Sequence, residues 1–525
     1  MNSLTRYINN KRIYKILYLL GAIIILIFLG NKVDFNFIRL YKGIPSMLGL
    51  FERMLSPNLS YRTEVFERLI ETIQIAMISS IMGVILALPF SIFVSDNIAP
   101  NKYLADILNG LFSFFRTIPS LIWAALLVSV FSIGRFSGII ALIIIGFLMS
   151  LKLFREYIES IKENQLNSIK SVGANSIQVL RYCILPYIFE LSISVFFIVL
   201  ETNIRSATIL GLVGAGGIGQ IMWRDLNHLR YDNLATIILI LVLTILSIDL
   251  LSLFIRKYLK SLSINFKLIE NYKRFQILKI ICIPIILIGL LSLAFKSLDI
   301  NYDRLLIGLN QGANIIGRMI KIDISYLPKL IDGVKESFFI AIFSTIVGAF
   351  FSLVLSYLTA YNTSPKKEIA LFFKGSVNIL RTFPPLITAI IFFRGVGPGP
   401  LAGAMALSIY TTGVLTKMYS EVLENAERNI QDSIIVTGAT KFHSYRYGLL
   451  PHKFPTFISL VLYRLESNIR NSAILGVIGA GGIGTTLVMN ITWRNWEQVG
   501  FLLLGISLMI IAIDRFSNYL RKRLM

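Results

Sequence analysis

Six charged side chains sit in stretches that are otherwise apolar over membrane length, and their types suit the binding of an anion. Glu201 and Arg205 are four residues apart and so share one helix face; Glu466 and Arg470 repeat the arrangement. Arg116 and Arg381 lie inside two further apolar runs, with no acid nearby in sequence. Ionised groups in hydrocarbon are costly, tend to pair, and mark solute or ion pathways. The same pairs also suit a structural ion lock. Four arginines against two glutamates leave the group net positive, and a guanidinium fork matches the oxygens of phosphate-type anions. An anionic cargo is the natural expectation.

Two other motifs accompany these charges. Gly214-Ala215-Gly216-Gly217-Ile218-Gly219 recurs at Gly479 to Gly484 and matches the dinucleotide-binding spacing. That fingerprint needs a preceding strand within a soluble βαβ unit, whereas each copy here follows a membrane-length apolar run, so no cofactor is expected. Glycines 214, 216, 217 and 219, and Gly479, Gly481, Gly482 and Gly484, suit either a loop lining a pathway or a close helix contact. Ser171 to Pro186 and Val436 to Pro451 each place Gly-Ala (Gly173-Ala174, Gly438-Ala439) ahead of a short amphipathic stretch ending in Leu-Pro (Leu185-Pro186, Leu450-Pro451). Such a pattern closes one short helix and starts the next at an angle. His228, His443 and His452 are scattered, Cys183 and Cys282 read as packing residues, and no metal site or disulfide framework is expected. No phosphate loop of the G-x-x-x-x-G-K-[ST] kind occurs, so ATP hydrolysis by that route is excluded.

The chain that must position these groups has 525 residues, of which 55% are hydrophobic and 15% charged. Average soluble proteins carry about 25% charged residues, and a mean hydropathy of +0.71 leaves too little polar surface for aqueous domains. The expected class is an all-α membrane protein with about twelve transmembrane helices. Lys plus Arg outnumber Asp plus Glu by 51 to 29. In a membrane protein that excess reads as basic cytoplasmic loops and contact with anionic lipid, not as nucleic-acid binding.

Sliding the sequence against itself by 265 residues pairs Glu201 to Gly219 with Glu466 to Gly484, identical at 13 of 19 positions. The offset also pairs Gly83 with Gly348, Arg116-Thr117 with Arg381-Thr382, Pro119 with Pro384 and Asp249 with Asp514. One unit is written twice. Copy one is assigned 1–257, a basic linker 258–277, and copy two 278–525. Apolar runs fall at 14–30, 70–95, 107–132, 136–153, 187–212 and 233–255, and again at 279–295, 335–360, 372–397, 401–418, 452–477 and 498–520. Six spans per copy make the repeats parallel. Basic residues at the start (Arg6, Lys11, Arg12), in the linker (Lys267, Lys273, Arg274 among them) and at the end (Arg521, Lys522, Arg523) put both termini in the cytoplasm by the positive-inside rule.

The paired Gly-Ala connectors resemble the EAA loop of ABC-importer permeases, matching it at Gly173, Leu185 and Pro186 and at Gly438, Leu450 and Pro451. Its opening Glu-Ala-Ala is replaced by Asn167-Ser168 and Asp432-Ser433. Leu462 to Gly484, the Arg-Thr-x-Pro of the third spans and Ser247 to Ser252 resemble the phosphonate-type permease family over nearly all of both copies. That resemblance implies a type I ABC-importer permease with both halves fused, working by alternating access with two ABC ATPase subunits on the cytoplasmic side and an extracytoplasmic solute-binding protein. It implies no enzymatic activity of its own. Phosphonates or related phosphorus oxyanions are the implied solutes, with phosphite or a thiamine-type solute as alternatives; an ion-coupled secondary transporter is the rival from another class. The resemblance further places Glu201, Asn203 and Arg205, with Glu466, Asn468 and Arg470, near the pathway, and the connectors in clefts of the ATPases.

Overall fold

A computed structural model describes residues 20–21, 24–99, 101–161, 163–265, 302–383 and 385–524. Arg6, Lys11, Arg12, Lys267, Lys273, Arg274, Cys282, Pro384, the apolar run 279–295 and part of 14–30 lie outside them. All regular structure among the described residues is helical. Copy one contributes α1 (Phe37–Met54), α2 (Arg62–Val94), α3 (Lys102–Thr117), α4 (Ser120–Phe131), α5 (Arg135–Glu159), α6 (Leu185–Leu210), α7 (Ile218–Asn227) and α8 (Tyr231–Asn265). Copy two contributes α9 (Tyr302–Met319), α10 (Leu327–Thr359), α11 (Lys367–Thr382), α12 (Pro385–Val396), α13 (Pro400–Glu424), α14 (Leu450–Leu475), α15 (Ile483–Thr492) and α16 (Trp496–Leu524).

Among the described residues, six helices are long and apolar enough to cross a membrane, or nine if each bent pair is one span. The expected run 401–418 is helical in α13 yet is not one of the nine. Its Gly, Ala, Ser and Thr side chains are largely buried, so this helix faces protein and needs little hydrophobicity.

The third spans, expected as continuous at 107–132 and 372–397, are broken instead. α3 and α4 meet at 90°, and Lys367–Arg381 meets α12 at 83°. Proline explains the break: Ile118 and Phe383, each preceding a proline, are extended at ψ 120° and 121°. Arg116 and Arg381 therefore sit in the last turn of a helix at the bend, where a cation complements the carbonyl end.

Two compact units form, Glu52–Lys321 and Met1–Phe51 with Ile322–Met525. In the first, α2 packs on α5 and α6, and α4 on α5. Ile75, Ile78, Leu142 and Leu210 fill one end of that core, Phe154, Ile158 and Ile184 the other. Helices approach closely through small residues: a Cβ on Gly83 would lie 2.8 Å from the Phe147 amide nitrogen. The second unit repeats the plan with α10, α13 and α14.

Each unit takes its first helix from the other sequence copy. Gly308 and Gly312 of α9 pack on Phe131 and Val130 of α4, while Leu29 and Val33 join a core with Ile340 and Phe343. Gly43 of α1 comes so near Gly395 that a Cβ would lie 2.3 Å from its carbonyl oxygen. The compact units are thus offset from the sequence repeats, beginning near residues 52 and 322.

Candidate functional site

The fifth helices α6 and α14 carry the charged faces. Arg205 Nη2 donates to Glu201 Oε1 and lies 3.9 Å from Asp249 Oδ2 of α8. Arg470 Nη2 donates to Glu466 Oε1 at 2.5 Å. The Glu-Arg spacing brings the two groups together in both copies. Arg116 and Arg381 are half-buried at their bends. Asn203 and Asn468 are fully buried on the opposite side of the same helices. Asn203 Nδ2 donates to Ser80 Oγ at 2.9 Å, and Asn468 Nδ2 to Thr345 Oγ1 at 2.9 Å and Thr411 Oγ1 at 2.8 Å. Both asparagines therefore lock the fifth helix to the second.

The glycine loops pack closely against neighbouring helices. After a 3-10 turn, Gly214, Gly216 and Gly217 take φ of 87°, 84° and 73°, a left-handed conformation that glycine adopts without penalty. A Cβ on Gly217 would lie 2.6 Å from Thr72 Oγ1, and one on Gly219 2.1 Å from the Thr208 carbonyl. The bare backbone lets the Ile218 amide donate to Thr72 Oγ1 at 2.7 Å. In copy two, Gly479, Gly481 and Gly482 take φ of 76°, 79° and 80°, Gly484 approaches the Ala473 carbonyl, and the Ile483 amide donates to Ser337 Oγ at 2.9 Å.

Beside each loop stands a carboxylate that sequence reasoning did not single out. Glu71 accepts from Arg68 at 2.9 Å and from Arg135 at 2.7 Å, and Gly216 packs against its oxygen. Glu336 holds the corresponding place beside Gly481, accepts from the Gly482 amide, and makes no ion pair among the described residues. Its copy has Gly333 and Pro400 where Arg68 and Arg135 stand. Asp249 was also missed, although its pairing with Asp514 at the repeat offset, inside the sixth apolar run, is a readable signal.

The connectors follow the glycine half of the expectation. Helix Glu163–Lys170 ends before Gly173 at φ 87°, and Arg428–Ile435 before Gly438 at φ 82°, with Ala174 and Ala439 next. Leu-Pro does not start an angled helix, contrary to expectation. Leu180–Ile184 and Tyr445–Leu449 form π-turns that run into α6 and α14, and Pro186 and Pro451 sit in the first turn of those helices. The Leu185 and Leu450 amides donate to the Leu180 and Tyr445 carbonyls five residues back, and this widened turn accommodates a following proline that has no amide proton, so the rod continues. Tyr182 and Tyr447 at equivalent positions are 67% and 64% exposed, each beside an arginine, Arg181 or Arg446. Among the described residues no three His, Cys, Asp or Glu converge as a metal site would require.

The family described as "Binding-protein-dependent transport system inner membrane component" matches at residues 79–262 and 352–525, once in each copy. The "Phosphate-import permease protein PhnE" of Mycolicibacterium smegmatis is 27% identical over 493 residues, 94% of this chain and 92% of that one. The "Phosphite transport system permease protein PtxC" of Stutzerimonas stutzeri is 33% identical over 42% of this chain and 79% of its own length. The "Putative cryptic phosphonate transport system permease protein PhnE2" of Escherichia coli is 42% identical over 22% of this chain and 97% of its own length.

Proposed function

Because the chain belongs to the binding-protein-dependent transport system inner membrane components, we propose that it is the fused, two-copy permease of an ATP-driven importer for phosphonates or related phosphorus oxyanions. It is a transport subunit and not an enzyme. The observation that carries the solute class is the pair of Glu-Arg faces on α6 and α14 together with Arg116 and Arg381, a half-buried, arginine-rich set suited to an oxyanion. Relatives named for phosphate, phosphite and phosphonate transport support the same class.

Two ATPase subunits would grip the Gly173 to Pro186 and Gly438 to Pro451 connectors on the cytoplasmic side, where both termini lie. The rigid passage of each connector through a π-turn into the fifth helix supports that role, since movement at Tyr182 or Tyr447 is carried into the helix bearing Arg205 or Arg470. Closure of the ATPases would then drive alternating access, with solute delivered by an extracytoplasmic binding protein.

Uptake of labelled phosphate, phosphite and methylphosphonate in cells carrying the chain and its partners tests the proposal. Uptake should vanish when the ATPase is inactivated; uptake that persists would indicate an ion-coupled transporter. Arg205→Ala with Arg470→Ala should cut uptake at least fivefold while the protein still reaches the membrane, and normal uptake removes the pathway role. Replacing Gly438-Ala439 should leave ATP hydrolysis running without transport, and full coupling would count against docking there.

A further inference from the structure

Copy two contains a buried cation for which copy one has no counterpart. Arg464, four residues before Asn468 and on its side of α14, is 5% exposed. Its guanidinium carbon lies 4.6 Å from the Tyr410 ring centroid of α13, and Nη1 lies 3.4 Å from Ser467 Oγ. Nε and Nη2 make no hydrogen bond of normal geometry among the described residues, and the Tyr410 hydroxyl is close enough to the guanidinium to interact with it. These two nitrogens form the side-on edge of the guanidinium, whose parallel N–H bonds fit two oxygens of one anion. Burying a charge with donors unmatched is expensive, so a purely structural arginine is a poor bargain here.

Copy one demonstrates that the helix frame does not require it. At the repeat offset Arg464 is Val199, fully buried in an apolar core, and Tyr410 is Ile145. Arg464 adds a cation around the fifth helix that copy one lacks. Copy one sets Arg205 against Glu201 and Asp249. Copy two has Arg464 and Arg470 with Glu466 and, at the position equivalent to Asp249, Asp514, so it carries one positive charge more.

We infer that Arg464, backed by the Tyr410 ring, is a contact for a phosphorus oxyanion made by copy two alone, so the solute site is asymmetric. The inference rests on the oxyanion-importer reading. Tyr410 fixes the guanidinium plane from its face by a cation–π contact and leaves the Nε/Nη2 edge for the solute.

The test uses the full chain assembled with its ATPases and binding protein in liposomes, with labelled phosphate, phosphite and methylphosphonate as probes. Arg464→Val, which installs the copy-one residue, is expected to lower transport of whichever anion the wild type carries at least tenfold. ATP hydrolysis should persist, so ATP consumed per anion moved rises at least fivefold, a change that a merely structural residue would not produce. Arg464→Lys keeps the charge but loses the fork, and should raise the same ratio at least twofold; it decides the matter if the valine variant does not assemble. Transport within twofold of wild type in the valine variant, or an unchanged ratio in either variant, overturns the inference. Wild-type protein that moves none of the three anions overturns the functional reading instead.

Discussion

In copy one the carboxylate beside the glycine loop is clamped by Arg68 and Arg135; in copy two its equivalent, Glu336, has a backbone amide for company and no ion pair among the described residues. Within the fifth helix the imbalance reverses, with Val199 in copy one and Arg464 in copy two. The backbone features that close the fold are nearly the same in both: left-handed glycines, Asn203 and Asn468 tied to the second helix, and π-turns before α6 and α14. Duplication has kept the packing instructions and released the charges. Geometry is shared because each copy builds the same helix crossings, whereas electrostatics has diverged because one chain can divide labour between its halves.

The shared part should be the most sensitive to change. Gly219→Ala and Gly484→Ala would place a Cβ 2.1 Å and 1.9 Å from carbonyl oxygens, and each should cost about 3 kcal/mol, at the upper end for overpacked cores. Thermal unfolding in detergent reads this, and a large loss in one copy only would break the equivalence.

The diverged part should separate the copies. Glu71→Gln leaves two arginines facing an amide and should cost about 1–2 kcal/mol, moderated because both arginines are partly solvated, while Glu336→Gln should stay within about 0.5 kcal/mol. Equal effects would refute the asymmetry of the loop carboxylates. Arg205→Ala removes a contact with two acids and Arg470→Ala with one, so the first should be less stable by about 1 kcal/mol. Lys374→Asn installs the copy-one residue Asn109 and breaks a half-exposed pair with Glu424 at 2.8 Å, for a loss of about 0.2–1 kcal/mol.

Much of this was legible in the chain itself. The repeat, the helical class, the Glu-Arg faces and the two glycine loops all follow from local spacing and self-comparison. The bend at Arg-Thr-x-Pro was not anticipated, because an apolar run of membrane length masks a single proline when hydropathy alone is counted. Glu71 with Arg68 and Arg135 was missed for another reason: Glu71 and Arg135 are 64 residues apart, and no local pattern announces a partner across helices. Arg464 stood in plain view among apolar neighbours. Its meaning emerges only when Val199 is set against it and the orphaned edge of the guanidinium is seen.

The crossed placement of α1 and α9 has a consequence for synthesis. The unit Glu52–Lys321 cannot close until the ribosome has delivered α9, well into the second half, which at about 5–20 residues per second is a wait on the order of a minute or less. Until then Phe131 and Val130 lack their cover, and Leu29 and Val33 wait longer still for Ile340 and Phe343. The unit Glu52–Lys321 is complete once α9 has emerged, while its sibling waits for the rest of the chain, so a translation product truncated before α9 would leave both apolar seams open to quality-control proteases.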